Sequence, residues 1–389
     1  MFMIRLPKPQ KLFLVIILIG SFFSHFPSPS LIVSSVEFIG EATLPTGLSF
    51  QKTEIGGLSG ITYDAKNNLY YVISDDTGRK APPRFYTFKI DLSEGKLTDN
   101  GVTPVNVTKL LNKNNQPFLP DTSDTEGIAF TSKNTIFVAS EGNIYNQVNP
   151  FIDEFSLASG QTISTLPIPD KFLPDPQKKK GIRSNLGFES LTITPDEKFL
   201  FTATENALIQ DGKEAKSGIG TSCRILEYNL LTKQPEREFL YQTQPVKPFF
   251  NPTRKFASGL SDLLALDNQG HFISIERSFT GFGFTVFLFQ ISLNKATDIR
   301  NFESIAKVDT SEIKPVEKEL LLDLRRLDVP LDNIEGLTLG AKLPNGEQSL
   351  ILISDNNFRG LQQTQILAFK LKPEPPLTRL LRRLRILNP

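Results

Sequence analysis

Thr125–Asn143 reads TEGIAFTSKNTIFVASEGN: an alternating apolar strand, a polar Ser-Lys-Asn turn, a second apolar strand and a closing acid. Period-2 alternation on both sides of a turn of this composition is the signal of a β-hairpin. The pattern recurs at Leu58–Asp76 (LSGITYDAKNNLYYVISDD), Phe188–Asn206 (FESLTITPDEKFLFTATEN), Leu260–Arg277 (LSDLLALDNQGHFISIER) and Ile334–Asn356 (IEGLTLGAKLPNGEQSLILISDN). A third strand is expected after each hairpin, at Phe85–Ile90, Ile152–Leu157, Ile225–Leu230, Thr285–Leu293 and Ile366–Leu371. Fourth strands are expected near Val102–Leu110, Ile163–Ile168, Glu238–Gln242 and Phe302–Val308, but the last repeat has none. Four strands per repeat is the pattern of a β-propeller blade. The fold class is therefore all-β: one propeller over 36–372, with five blades counted and sequence enough for six. The leftover strand Val36–Leu44 supplies the missing strand of the last blade and closes the ring.

Composition narrows the function. The chain has 389 residues and a formal net charge of +1, so it lacks the basic field with which nucleic-acid binders neutralise phosphates. A single cysteine, Cys223, rules out an intrachain disulfide and a Cys-rich zinc site. There are two histidines, His25 and His271, and the second sits at the turn end of its hairpin. A Ser-His-Asp triad or His-based zinc chemistry therefore has almost nothing to draw on. Gly281-Phe-Gly-Phe lies between two strands with no helix to follow, and reads as a turn.

The chemistry lies in what recurs. One position opens each hairpin (Ser59, Glu126, Glu189, Ser261, Glu335) and an acid closes it (Asp75, Glu141, Glu205, Glu276, Asp355). Antiparallel pairing brings opening and closing residues together at one end of the hairpin. With the first strands lining the channel, eight carboxylates converge on its mouth, with Asp76 and Asp262 beside them. Carboxylates so crowded repel unless cations intervene, and hard cations with oxygen ligands, Ca²⁺ above all, are the natural partners. Glu126, Glu189 and Glu335 are the first expected metal ligands, with Asp75, Asp76, Glu141, Glu205, Glu276 and Asp355 as further or bridging ones. Arg84, Arg183, Arg277 and Lys180 are the expected substrate contacts.

Several motifs, in order, resemble the phytase-like family, also described as "esterase-like activity of phytase". They are Ser74–Asp76 with Arg84-Phe-Tyr, Arg183-Ser-Asn-Leu-Gly-Phe-Glu-Ser-Leu, Arg224-Ile-Leu-Glu-Tyr, Gly259-Leu-Ser-Asp-Leu-Leu-Ala-Leu, Asp332-Asn-Ile-Glu-Gly-Leu and Ser354-Asp-Asn-Asn-Phe. The resemblance implies a β-propeller and calcium-assisted hydrolysis of a small phosphorylated substrate, with no catalytic residue assigned. The competing expectation is a non-catalytic propeller that binds a ligand or protein and uses calcium as a staple.

The two ends carry separate signals. Arg5, Lys8 and Lys11 precede the apolar run Leu12–Ile19, so 1–24 reads as a signal peptide or N-terminal anchor and the protein as exported. A Pro/Ser-rich linker, 25–35, follows. At the other end, 373–389 places Leu377, Leu380, Leu381, Leu384 and Leu387 on one helical face beside four arginines. Such a basic amphipathic tail is expected to touch a membrane surface.

Overall fold

Short strands rich in Val, Ile, Phe and Tyr, separated by Gly, Asn and Asp turns, have no length in which to build helices. In the computed structural model, which describes residues 31–375 apart from Phe249, together with Thr378, they form five four-stranded antiparallel sheets. The chain begins with β1 (Val33–Leu44) and a small ribbon, β2 (Ser49–Phe50) with β3 (Thr53–Glu54). Blade 1 is β4 (Leu58–Asp64), β5 (Leu69–Ser74), β6 (Arg84–Ile90) and β7 (Val102–Lys109). Blade 2 is β8 (Thr125–Thr131), β9 (Thr135–Ser140), β10 (Phe151–Ser156) and β11 (Thr162–Leu166). Blade 3 is β12 (Phe188–Ile193), β13 (Phe199–Thr204), β14 (Ser222–Asn229) and β15 (Gln234–Gln242). Blade 4 is β16 (Ala257–Ala265), β17 (His271–Phe279), β18 (Phe284–Ser292) and β19 (Glu317–Asp323). Blade 5 is β20 (Ile334–Lys342), β21 (Gln348–Ser354), β22 (Thr364–Pro373) and, from the other end of the chain, β1. The blade count is five.

The first strands of successive blades touch in a closed ring, β4 to β8 to β12 to β16 to β20 and back to β4. Between blades lie five apolar clusters; Ile61, Val72 and Tyr86 of blade 1, for instance, pack against Ile351, Ile353 and Ile366 of blade 5. Inner strands are buried on both sheet faces, which is why they read as nearly continuous apolar runs.

The closing strand starts at Val33 and pairs with β22 from Val33↔Pro373 to Leu44↔Thr364. Its Gly40 has φ +125° and sits against the Leu97 carbonyl of blade 1, while Leu97 donates its N–H to the Ile39 carbonyl at 3.0 Å. Because β22 runs away from the channel mouth, residues 33 and 373 sit side by side on the opposite face of the propeller.

One expected strand is corrected. Phe302–Val308 is no part of blade 4: it contains a single 3₁₀ turn, Ile305–Lys307, and packs with Leu240 and Ile299 against the outer strand of blade 3. Ile299 and Val316 donate N–H bonds to the Glu238 and Leu240 carbonyls, covering an edge that would otherwise be open to pairing. The outer strand of blade 4 is instead β19, EKELLLD, in which three charged residues precede a run of three leucines and no period-2 alternation marks a strand.

Replacing Gly40 by valine places a β-branched side chain at a left-handed φ against a fixed carbonyl. The expected loss is about 1–3 kcal/mol of stability, read as a lower denaturant midpoint at unchanged m. A midpoint equal to wild type would show that the seam between blades 5 and 1 tolerates a shift.

Candidate functional site: an acidic cavity at the channel mouth

Each inner strand carries a β-bulge at its opening end, at Leu58/Gly60, Thr125/Ile128, Phe188/Ser190, Leu260/Asp262 and Ile334/Gly336. The residues displaced by the bulges include Ser59, Glu126, Glu189, Ser261 and Glu335, the five recurring positions. A bulge leaves its extra residue outside the ladder and re-aims its side chain. The position that follows is small in four blades because neighbouring inner strands meet there. A Cβ on Gly60 would lie 2.5 Å from the Glu126 carbonyl oxygen, and one on Gly336 would lie 2.9 Å from that of Ser59. Blade 4 has Asp262 instead, whose carboxylate accepts the N–H groups of Leu263 and Leu337, each at 2.8 Å.

The closing acids are set by a second repeated contact. The N–H of Asp75 donates to Gly57 O (2.7 Å), that of Glu141 to Asp124 O (3.0 Å), that of Glu205 to Gly187 O (2.8 Å) and that of Asp355 to Asn333 O (2.9 Å). The acceptor stands two residues before the bulge each time. Glycine there makes room: a Cβ on Gly187 would come within 2.7 Å of the Glu141 side chain. Where glycine is absent, Asp124 and Asn333 join the site. Asn333 Nδ2 donates to Glu335 at 2.9 Å. The carboxylate oxygens of Asp124, Glu126 and Glu141 all lie within 4.8 Å of one another. Asp124 is not among the expected ligands, although the series Gly57, Asp124, Gly187, Gly259, Asn333 is readable two places before the marked residues.

Glu126, Glu141, Glu335 and Asn333 line a cavity of about 1150 Å³, and Asp124 lines a smaller one of about 170 Å³ beside it. Of the expected metal ligands, Asp75, Glu126, Glu141, Glu189, Glu205, Glu335 and Asp355 line the larger cavity. Asp76 turns into blade 1, where Arg84 (2.9 Å) and the N–H groups of Arg79, Lys80 and Ala81 engage it. Glu276 is held between blades 3 and 4 by Tyr241 Oη and the Gln244 N–H from blade 3 and by Lys318 Nζ from blade 4. Its strand continues to Phe279, so Glu276 is mid-strand where the other four acids follow a strand end.

The expected substrate contacts divide likewise. Arg277 lines the cavity, pairing with Glu335 and standing 3.5 Å from Glu205. Arg84 is fully buried against Tyr86, Asp76 and the Glu54 carbonyl and does not reach the cavity. Arg183 braces a blade 3 loop through the Ala207 (3.0 Å) and Gly212 (2.7 Å) carbonyls. Lys180 is exposed on the loop before it. Arg359, at the rim, is the other arginine of the cavity.

The fold, the order of the motifs and the model of one family agree over most of the chain. The protein belongs to the phytase-like family. The family model, described as "esterase-like activity of phytase", matches residues 53–358. Among solved structures, an endo-arabinase from Bacteroides thetaiotaomicron VPI-5482 is similar at 12% identity, covering 86% of this chain and 98% of its own, with a TM-score of 0.40. The Dos1 propeller is similar at 7% identity, covering 80% of this chain and 68% of its own, with a TM-score of 0.34. A search of curated proteins returns no relative of this sequence.

Burial governs the charge state of this phytase-like mouth. Desolvation, then repulsion from Glu335, Asp124 and Asp76, pushes Asp75 up to about 8. Asp124 rises to about 6 and Glu205 to about 7, again chiefly through desolvation. Glu126, Glu141, Glu189 and Asp355 are raised well above the usual carboxylate range by desolvation and then by repulsion from neighbouring carboxylates, which for Asp355 are Asp75 and Glu335. Arg277 opposes this at Glu189, Glu205 and Asp355. Without cations, the folded protein therefore holds protons that the unfolded chain releases.

The sign of the pH dependence follows. Groups raised on folding cost nothing below their unfolded values near 4, and destabilise progressively as pH rises through the folded values. The metal-free protein is expected to melt at a lower temperature at pH 8 than at pH 5.5. Glu205→Gln should flatten that slope. Thermal melts in chelator across this range check it, and a melting temperature that rises with pH would contradict it.

Proposed function

We propose that this phytase-like propeller is an exported, calcium-dependent phosphoesterase whose chemistry takes place in the acidic cavity. One observation carries the reading: eight carboxyl-bearing side chains converge on one cavity, and two of their oxygens, Asp75 Oδ1 and Glu205 Oε1, are enclosed without a hydrogen bond. The charged donors are all carboxylate oxygens, without His or Cys, the chemistry of a hard cation. Two oxygens on one Ca²⁺ stand at most about 4.8 Å apart, twice the usual ligand distance of roughly 2.4 Å. Asp124, Glu126 and Glu141 meet that limit.

Bound calcium would neutralise a phosphate ester and make water a better nucleophile. The chain's own groups do the rest. Arg277, held by Glu335, presents a fixed cationic edge beside the carboxylates, suited to phosphate oxygens. Carboxyls poised near neutral pH, Glu205 among them, can take or return a proton. One feature favours the alternative of a structural staple: the lining acids come from blades 1, 2, 3 and 5, so an ion shared among them would tie blades together.

Glu126→Gln separates the readings. It is expected to weaken calcium binding roughly tenfold or more, about 1.4 kcal/mol, and to abolish phosphate release from a panel of phosphoesters, while raising the metal-free melting temperature at pH 8. Calorimetric titration, phosphate assay and melting check the three effects. Calcium that raises only the melting temperature, with no turnover by wild type, would leave the staple. Absence of calcium binding at millimolar concentration would end both.

The apolar segment 1–24 and the basic segment 376–389 lie outside the described residues, apart from Thr378. Their neighbours, residues 33 and 373, emerge together opposite the cavity. A lipid surface engaged by these ends would lie behind the propeller and leave the acidic mouth open to solvent. Truncation before residue 375 is expected to abolish salt-sensitive binding to anionic vesicles in co-sedimentation, with calcium affinity unchanged. Equal sedimentation of both chains would refute the contact.

A further inference from the structure

The turn read at Gly281-Phe-Gly-Phe is more than a connection. In blades 1 and 2, residues 75–83 and 141–150 join the second strand to the third; in blade 4 only 280–283 do so. The flanking strands β17 and β18 run nine residues each, against six in β5, β9 and β13, so this hairpin rises above the mouth as a finger. Phe279, Phe282 and Phe284 of this finger all line the acidic cavity. Thr253 Oγ1 donates to the Gly281 carbonyl at 3.1 Å, and Asn251 packs against Gly281, so the finger is braced from outside. Its tip residue, Phe282, is 83% exposed, and Leu361 across the rim is fully exposed.

An aromatic ring left in water above a cavity marks a surface that gains by being covered. The cavity combines a carboxylate floor with an apolar wall and has two arginines, of which Arg277 is already paired with Glu335. A polyphosphorylated polyol offers nothing apolar for the finger to cover. Resting on the phosphoesterase reading above, we infer that the substrate is a monophosphate ester of an apolar, ring-bearing alcohol, its phosphate toward the floor and Arg359 and its ring on Phe282. An aromatic contact of this kind is worth a roughly two- to tenfold gain in affinity.

The test titrates the calcium-supplemented protein with phenylphosphonate, methylphosphonate and inositol hexakisphosphate. Phenylphosphonate is expected to bind roughly two- to tenfold more tightly than methylphosphonate, and no more weakly than inositol hexakisphosphate. Phe282→Ser should remove the preference for the phenyl group while leaving methylphosphonate affinity, calcium affinity and melting temperature unchanged. Equal affinity for the two phosphonates, a preference retained in Phe282→Ser, or tighter binding of the hexakisphosphate would overturn the inference and leave the calcium reading intact. Failure to bind calcium would overturn both.

Discussion

Five sheets can share one axis only if their inner strands approach to backbone contact, and that crowding shapes everything near the channel. It makes the position after the bulge glycine or serine in four blades, since a Cβ on Gly60, Gly127 or Gly336 would already strike the next inner strand. It also forces the bulges themselves. A regular ladder alternates side chains between the two faces of each blade, and both faces are packed against neighbouring blades. Within the inner strands it is the residue displaced from the ladder that turns toward the axis. The acidic mouth is thus a product of ring closure, which in turn depends on β1 pairing with β22.

The mouth stands against the stability of the body that holds it. The clusters between blades bury leucine, isoleucine and phenylalanine, each worth roughly 1.5–3 kcal/mol, while the carboxyl groups at the mouth lose solvation and repel one another. Such local conflict persists where the surrounding structure over-determines it, and it concentrates at functional sites. Within the blades, two fully buried arginines are closely paired with acids. Arg224, fully buried in blade 3, meets Asp211 and Glu238 at 2.6 and 2.7 Å, and Arg84 is enclosed just as tightly in blade 1. The contrast between paired acids within the blades and crowded acids at the mouth is the electrostatic signature of the site.

Much of this was legible before any coordinates. Alternation around Asn, Asp and Gly turns determined the hairpins, their fivefold repetition determined the propeller, and the unpaired strand Val36–Leu44 pointed to the closure. The recurring Ser or Glu and its closing acid also located the mouth, because antiparallel pairing joins the two by local geometry. What the sequence could not decide was which charged residues face the axis. Glu276 shares the spacing of the other acids, yet its register partner is Leu260, so it turns toward blade 3 and Arg277 takes the closing place. Arg84 reads as a phosphate contact, yet strand parity turns it into its own blade. Phe302–Val308 is apolar enough for a strand, yet its side chains cover a neighbouring blade. Asp124 and Asn333 enter the site only where the glycine of their series is replaced. Local pattern determines strands and turns because its physics acts over a few residues. Convergence on the axis joins residues 63 to 74 positions apart, and only the closed ring sets their distances.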